Sequence, residues 1–179
     1  MSFLDEIKLE REQIYSGRIL NIVKDRVRLP NGEEATRELA LHPGAVAILP
    51  LLDDGRVIME RQYRYAHGRV FLEIPAGKLD YIGEEPLDAA KRELREETGA
   101  VAKSYTDLGK LIPSPAVLTE VIYMYLAEGI VFSERELDED EFIDLELIPL
   151  EELYQMTLRG EIEDAKTQIA ILKAYELKK

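Results

Sequence analysis

The stretch GKLDYIGEEPLDAAKRELREETGA, residues 77–100, decides the fold of this chain because it has the start and stop signals of one central helix. Pro86 suits the first helical turn, where its missing N–H is not needed. Gly99 suits the position just past the last turn, where a left-handed backbone ends a helix. The stretch therefore predicts a helix over residues 86–98.

Two sets of side chains recur along this predicted helix. The apolar set, which would pack on a core, is Leu87, Ala90 and Leu94. The acidic set, which we place on a different face, is Glu93, Glu96 and Glu97. Like charges three or four residues apart destabilise an isolated helix by roughly 0.2–0.5 kcal/mol per pair. The three glutamates also lie at the end of the helix that its dipole makes negative. A bound divalent cation such as Mg²⁺ explains the cluster; a solvated acidic face, partly offset by neighbouring basic residues, is the alternative.

The wider pattern favours the metal. Gly77, Glu84, the run REL at 92–94, the pair EE at 96–97 and Gly99 together resemble the Nudix box, the signature of Nudix hydrolases. The spacing from Glu84 to Gly99 matches throughout. Six residues instead of five separate Gly77 from Glu84, which we interpret as a loop lengthened by one residue.

The order of predicted elements places this helix within an α+β fold. Strands are predicted at 45–52, 57–63, 70–74, 105–112, 121–127 and 142–148, and two further helices at 150–158 and 164–177. We expect a mixed β-sheet covered on both faces, in agreement with the Nudix-type α/β/α sandwich that the resemblance implies. Residues 1–43 predict a separate N-terminal antiparallel β-sheet, and residues 44–179 a Nudix catalytic domain.

Composition limits the classes of partner. The 179 residues carry a net charge of −13, which argues against nucleic acid or an anionic membrane as the main partner. An anionic substrate must therefore be met by local arginines and metal. The chain has no cysteine, which fits a cytoplasmic location. Its longest apolar run, 45–52, is far shorter than the ~20 residues that span a bilayer.

The resemblance implies hydrolysis of a nucleoside diphosphate linked to another group, with Mg²⁺ or Mn²⁺ as cofactor. By motif position, we expect Glu93 and Glu97 to be metal ligands, together with the backbone carbonyl of Ala76. Glu96 would be a third ligand or would hold a metal-bound water. Glu84 and Arg92 are expected to form a structural ion pair between the loop and the helix.

Further segments resemble the ADP-ribose pyrophosphatase subfamily, namely IPAGKLD at 74–80, SP at 114–115 with Glu120 following, RELDEDE at 135–141 and DAKT at 164–167. Where that subfamily usually has glycine after Ser-Pro, this chain has Ala116. The subfamily takes its general base from a mobile loop outside the box. The acidic run 135–141 matches that loop, so Glu139 is the candidate base and Glu141 a further metal ligand, while Glu120 is the alternative base.

The resemblance also implies substrate-binding residues. Arg64 and Arg37 match positions that bind the phosphates and the terminal ribose, and arginine recognises phosphate in a two-pronged manner. Tyr15 is suited to stack on adenine. In the subfamily the N-terminal sheet crosses to a partner subunit, so we expect a homodimer with shared sites.

The leading hypothesis is therefore Mg²⁺-dependent hydrolysis of ADP-ribose to AMP and ribose 5-phosphate. The alternatives within the family are a hydrolase of GDP-mannose, of another sugar nucleotide, of a dinucleotide or of an oxidised nucleoside triphosphate. A Nudix domain that senses a nucleotide without catalysis is the alternative from another class. The retained box glutamates argue against that alternative.

Overall fold

The computed structural model describes residues 2–137 and 141–179. The chain forms two compact units, one comprising Met1–Pro43 and Ile112–Glu120, the other Gly44–Leu111 and Val121–Lys179. The segment Ile112–Glu120 was not part of the N-terminal region predicted from the sequence. It joins that unit because Ala40 donates to the carbonyl of Val117 (2.8 Å) and accepts from the N–H of Thr119 (3.0 Å).

The N-terminal unit is built on a three-stranded antiparallel sheet. Its strands, in the order β1-β2-β3, are β1 (Ile7–Ser16), β2 (Asn21–Arg28) and β3 (Glu34–Leu41). Strand β2 buries alternate side chains, whereas β1 is exposed along nearly its whole length. The sheet therefore has a thin core of its own.

The second unit contains the remaining strands and the three α-helices of the described residues. The strands are β4 (Ala45–Leu51), β5 (Arg56–Arg64), β6 (Arg69–Glu73), β7 (Ala76–Lys78), β8 (Ala100–Val101), β9 (Ser104–Leu111), β10 (Ile122–Glu128), β11 (Val131–Phe132) and β12 (Ile143–Pro149). The helices are α1 (Pro86–Thr98), α2 (Leu150–Leu158) and α3 (Ala165–Lys178). The main sheet has the order β12-β5-β4-β10-β9, with β6 paired to β5 and β7 to β4. The pair β4–β10 is parallel and the other pairs are antiparallel, so the sheet is mixed.

Strand β4 explains how the layers are held together. Every residue of β4 is buried, which is typical of a strand covered on both faces. Ala47 and Leu49 pack in one cluster with α2 and α3, and Val46 and Ile48 pack in another with α1. The alternation of side chains along the strand therefore joins two cores, and the predicted α/β/α sandwich is confirmed.

Helix α1 has the predicted bounds, and one of its faces differs from the prediction. Gly99 ends the helix with a φ of +71° and donates to the carbonyl of Arg95 at 2.8 Å. Ala90 and Leu94 are buried as predicted, but Glu97 lies on the same buried side and is only 4% exposed. The reason is geometric, since Glu97 follows Leu94 by three residues and Ala90 by seven.

In the part of the chain that the structure describes, no helix has the length and apolar character needed to cross a membrane.

Candidate active site

A highly charged cavity of about 460 Å³ lies where α1 passes the short strand β7. Its lining residues come from β5, β7, the loop before α1, α1 itself and the segment before β12. They are Arg64, Ala76, Gly77, Lys78, Asp80, Arg92, Glu93, Glu96, Glu136 and Glu141. Six of the residues expected to bind metal or substrate thus lie together: Arg64, Ala76, Glu93, Glu96 and Glu141 line the cavity, and Glu97 is hydrogen-bonded to the backbone of Ala76 in β7.

Glu97 is held against β7 by the backbone. Its Oε2 accepts a hydrogen bond from the N–H of Ala76 at 2.9 Å. Burial raises the pKa of the Glu97 carboxyl well above its ordinary value, and the charges of Glu60, Glu93 and Glu141 raise it further. The hydrogen bond from the N–H of Ala76 lowers the pKa of Glu97 and offsets only part of this increase. Glu97 is therefore a carboxylate placed where its negative charge is costly.

Glu93 is in a similar position. Burial raises its pKa to about 7, against a partial lowering by the charge and hydrogen bond of Arg92. Glu96 and Glu141 raise it as well. The backbone of Gly77 passes directly beside the Glu93 carboxyl group. Strand β7 and the two carboxylates thus face the same small space.

Arg92 connects the loop and the helix, as predicted, and also neutralises the carboxylates. Its Nη2 lies 3.6 Å from Oε1 of Glu84, whose other oxygen accepts from the N–H of Asp80 at 2.7 Å. Its Nη1 donates to Glu93 at 2.7 Å and to Glu96 at 3.2 Å. The expected ion pair with Glu84 is present, but the shorter contacts are those to the acidic cluster.

Two buried glutamates near this cluster were missed from the sequence. Glu60 and Glu73 lie opposite each other on β5 and β6, and each is 3% exposed. Glu73 is paired with Arg64 and Lys166. Oε1 of Glu60 has no hydrogen-bond partner in the described part of the chain. The available signal was a charged residue directly beside the apolar run of each strand.

Burial raises the pKa of Glu60 well above its ordinary value. The charge of Arg135 offsets part of the increase, and the charge of Glu73 adds to it. Glu60 and Glu97 affect each other through their charges, so the negative charge of the site extends behind the cavity wall.

The segment before β12 brings further charged groups to the end of α1. Nε of Arg135 donates to the carbonyl of Glu97 and its Nη2 to that of Ile143 at 3.0 Å. Glu136 pairs with Arg95 at 2.8 Å. Glu141, a predicted metal ligand, also lines the cavity.

Two predicted substrate-binding residues and the alternative base do not line the described cavity. Glu139, the candidate general base, lies outside the described residues. Arg37 and Tyr15 belong to the N-terminal sheet, where Arg37 donates from Nε to Glu6 at 2.9 Å and Tyr15 is 56% exposed. The alternative base, Glu120, is also in that unit, with Oε1 at 3.5 Å from Nδ1 of His42. The roles of these residues stay predictions.

The chemistry of the cluster fits a hard divalent cation. Carboxylate and carbonyl oxygens are the ligands that Mg²⁺ and Mn²⁺ prefer. Burial raises the pKa of Glu93 and Glu97, and the neighbouring carboxylates raise both values further. Within residues 2–137 and 141–179, no group of three or more His, Cys, Asp or Glu side chains is arranged to hold a metal ion. Part of the reason is that Glu93 and Glu96 are directed toward the guanidinium of Arg92.

Comparisons with known proteins agree with the fold and the cluster. Residues 41–169 match the family model of the NUDIX domain, and residues 6–39 match the nucleoside diphosphate sugar hydrolase N-terminal domain. The ADP-ribose pyrophosphatase of Bacillus subtilis is 43% identical over 96% of this chain and 93% of its own length. The methanol dehydrogenase activator of Bacillus methanolicus is 41% identical over 93% and 91%. The ADP-ribose pyrophosphatase of Mycobacterium tuberculosis is 37% identical over 93% and 82%.

A solved structure described as an ADP compounds hydrolase superposes with a TM-score of 0.85, covering 99% of this chain and 96% of that one. Its sequence identity of 24% supports the fold alone. The NUDIX model spans well over half of the chain and includes every residue of the acidic cluster on α1. The chain belongs to the Nudix hydrolase family, whose members generally use divalent metal ions.

Proposed function

We propose that this Nudix hydrolase cleaves the pyrophosphate of ADP-ribose and releases AMP and ribose 5-phosphate. The observation that carries the proposal is that Arg64 lines the same cavity as Glu93 and Glu96. A cation suited to phosphate thus faces carboxylates suited to metal. The names of the relatives from B. subtilis and M. tuberculosis support the choice of ADP-ribose.

The cofactor we propose is Mg²⁺, with Mn²⁺ as a substitute. Glu93, Glu97 and the carbonyl of Ala76 would hold it, with Glu96 and Glu141 as additional carboxylates. When bound, such a cation neutralises the charge of a pyrophosphate and lowers the pKa of a bound water.

The side chains of the chain supply the remaining functions. The guanidinium of Arg64 binds a phosphate and fixes the position of the substrate. A carboxylate of the acidic segment, for which we propose Glu139, takes the proton of the attacking water. Because the pKa of Glu93 and Glu97 is raised without a metal, a bound cation would compete with protons for both carboxylates.

The N-terminal sheet supplies the nucleotide-binding residues Tyr15 and Arg37 in this proposal, and it does so within a homodimer. Apolar side chains on and after β1 are more than half exposed: Ile14, Tyr15, Ile19 and Leu20. These exposed apolar side chains support a proposed subunit interface on this part of the sheet. Light scattering should therefore return twice the chain mass of 20.5 kDa, and a monomer would exclude shared sites. The cytoplasmic location stays a prediction.

A substrate panel tests the proposed activity. The protein is incubated with Mg²⁺ and ADP-ribose, other ADP-sugars, GDP-mannose, NADH or 8-oxo-dGTP, and the products are resolved by chromatography. We expect kcat/KM to be highest for ADP-ribose, with AMP as the nucleotide product. A higher value for another compound would replace the substrate assignment, and binding without turnover of any compound would favour the sensor alternative.

A further inference from the structure

The guanidinium of Arg64 is fixed by a buried carboxylate on the neighbouring strand. Nε and Nη2 of Arg64 donate to the two oxygens of Glu73, each at 2.8 Å. This pairing uses two of the five N–H groups of an arginine and leaves three for another acceptor. The Glu73 side chain is 4% exposed, whereas that of Arg64 is 41% exposed, so the arginine alone reaches the cavity.

Glu73 is also held by the start of α3. Lys166 donates from Nζ to Oε2 of Glu73 at 2.5 Å and lies 3.0 Å from Oδ2 of Asp164. Asp164 also accepts from both the N–H and the hydroxyl of Thr167, and that hydroxyl accepts from the N–H of Ile74. The DAKT segment at 164–167 is therefore hydrogen-bonded to residues 73 and 74 and connects the start of α3 to them.

The energetics argue that this arrangement serves more than stability. Burying a carboxylate between two cations gives little net stabilisation compared with apolar residues of the same volume, because the ions lose their hydration. Burial raises the pKa of Glu73, but the hydrogen bonds and charges of Arg64 and Lys166 outweigh it and bring the pKa to about 2. Glu73 is thus charged throughout the physiological range. A permanently charged, immobile carboxylate is suited to hold a planar guanidinium in one orientation.

We propose that Glu73, held by Lys166, is a positioning residue that orients Arg64 toward a phosphate of the substrate. The proposal rests on the proposed function, in which Arg64 is the phosphate ligand. Fixing the guanidinium before the substrate arrives removes the cost of ordering its side chain on binding. The contact to phosphate exists both in the bound substrate and in the transition state, so its loss weakens binding more than it slows the chemical step.

The test compares Glu73→Gln with a matched control on β12, which like β6 pairs with β5. Glutamine keeps the shape of the side chain but offers one acceptor oxygen instead of two, so we expect the KM for ADP-ribose to rise about tenfold with kcat changed less than threefold. The control is Glu146→Gln, which breaks the exposed pair with Arg61, a 2.7 Å contact on the other side of β5. We expect this control to leave KM unchanged. A loss of kcat at constant KM would indicate mere misfolding and would overturn the proposal.

A double-mutant cycle gives a readout that a purely structural role would not produce. If Glu73 acts through Arg64, Glu73→Gln should have little further effect on KM in an Arg64→Ala background. Additive effects on KM would overturn the proposal. Should Glu73→Gln fail to fold, Glu73→Asp replaces it, since aspartate keeps the charge but displaces the guanidinium, and the same rise in KM is expected.

Failure of the proposed function can be distinguished from failure of this inference. If the wild-type protein does not hydrolyse ADP-ribose, the activity assignment is wrong, and the positioning role is then tested by the dissociation constant of ADP, measured by calorimetry. Glu73→Gln should weaken ADP binding about tenfold relative to wild type and to Glu146→Gln. Equal affinities of the three proteins would overturn the inference.

Discussion

The carboxyl group of Glu93 occupies the space that a side chain at position 77 would need. A Cβ built on Gly77 would lie 1.9 Å from the carboxyl carbon of Glu93 and 2.2 Å from each of its oxygens. Contacts this short do not occur between real atoms, so glycine at 77 is what allows the helix carboxylate to meet the backbone of β7. The box glycine is thus required for close approach, and the cluster depends on it.

We therefore expect Gly77→Ala to reduce kcat/KM about 100-fold, because the added methyl group would push Glu93 out of position and an error of about 1 Å can have this effect. Steady-state kinetics with Mg²⁺ would measure the loss. Gly83→Ala is the control, since Gly83 has a φ of +94° but open space around it. That control should lose some stability and keep its activity. Activity of Gly77→Ala within twofold of wild type would contradict a role of Glu93 at the reacting centre.

Glu97→Gln separates the role of the charge from the role of the hydrogen bond. The glutamine oxygen can still accept from the N–H of Ala76, but the neutral amide is a poor ligand for a divalent cation. We expect kcat/KM to fall on the order of 100-fold or more, while the melting temperature without metal is unchanged or higher. Kinetics and thermal unfolding in chelator measure the two effects, with the exposed Glu152→Gln as control. A melting temperature well below wild type would make Glu97 structural.

The fold was predictable wherever local signals decide it. Pro86 and Gly99 mark the ends of α1 without any help from distant residues, and the all-apolar β4 indicates burial on both faces. The side that Glu97 occupies was wrongly predicted, because we placed the glutamates apart from the apolar stripe. Helical geometry puts Glu97 in line with Leu94, three residues before it, and so on the buried side of α1.

The hydrogen-bond network that joins Glu73 to Arg64 and Lys166 was not predictable for a different reason. Glu73 is separated from Arg64 by nine positions and from Lys166 by 93. The second partner comes from α3, on another part of the fold, so no local pattern links the two. The sequence could identify DAKT as a motif, but only the hydrogen bonds from the start of α3 to Glu73 and Ile74 show what that motif contacts.

The metal-free protein should become less stable as pH rises. Glu93 has a folded-state pKa of about 7, compared with 4.5 for an ordinary glutamate, and Glu60 and Glu97 are raised further. The folded protein therefore keeps protons that the unfolded chain releases, and the free energy of unfolding falls from about pH 5 upward, through the raised pKa values. The pKa of Glu73 is lowered to about 2, so its contribution to the free energy of unfolding is lost only as the pH falls below about 4.5.

Melting temperatures in the presence of a chelator, determined from pH 5.5 to 8.5, would measure this loss of stability. Mg²⁺ competes with the protons for the carboxylates, so its stabilising effect should grow over the same range. A control series with Glu60→Gln should show a weaker pH dependence without metal. Stability that is constant or increases with pH in the absence of metal would show that these carboxylates are ionised at little cost, contrary to their burial.

Thr167→Val tests the hydrogen bond between α3 and Ile74, which lies between β6 and β7. The Thr167 hydroxyl is fully buried, donates to Asp164 at 2.6 Å and accepts from the N–H of Ile74 at 3.0 Å. Valine has nearly the same shape but leaves that buried N–H without a partner, which should cost about 1–3 kcal/mol in the free energy of unfolding. The control is Thr157→Val, because the hydroxyl of Thr157 only donates to the Leu153 carbonyl within α2, and its loss should cost less than about 1 kcal/mol. Urea unfolding would measure both variants, and equal losses would mean that the hydroxyl of Thr167 does not hold α3 to the sheet.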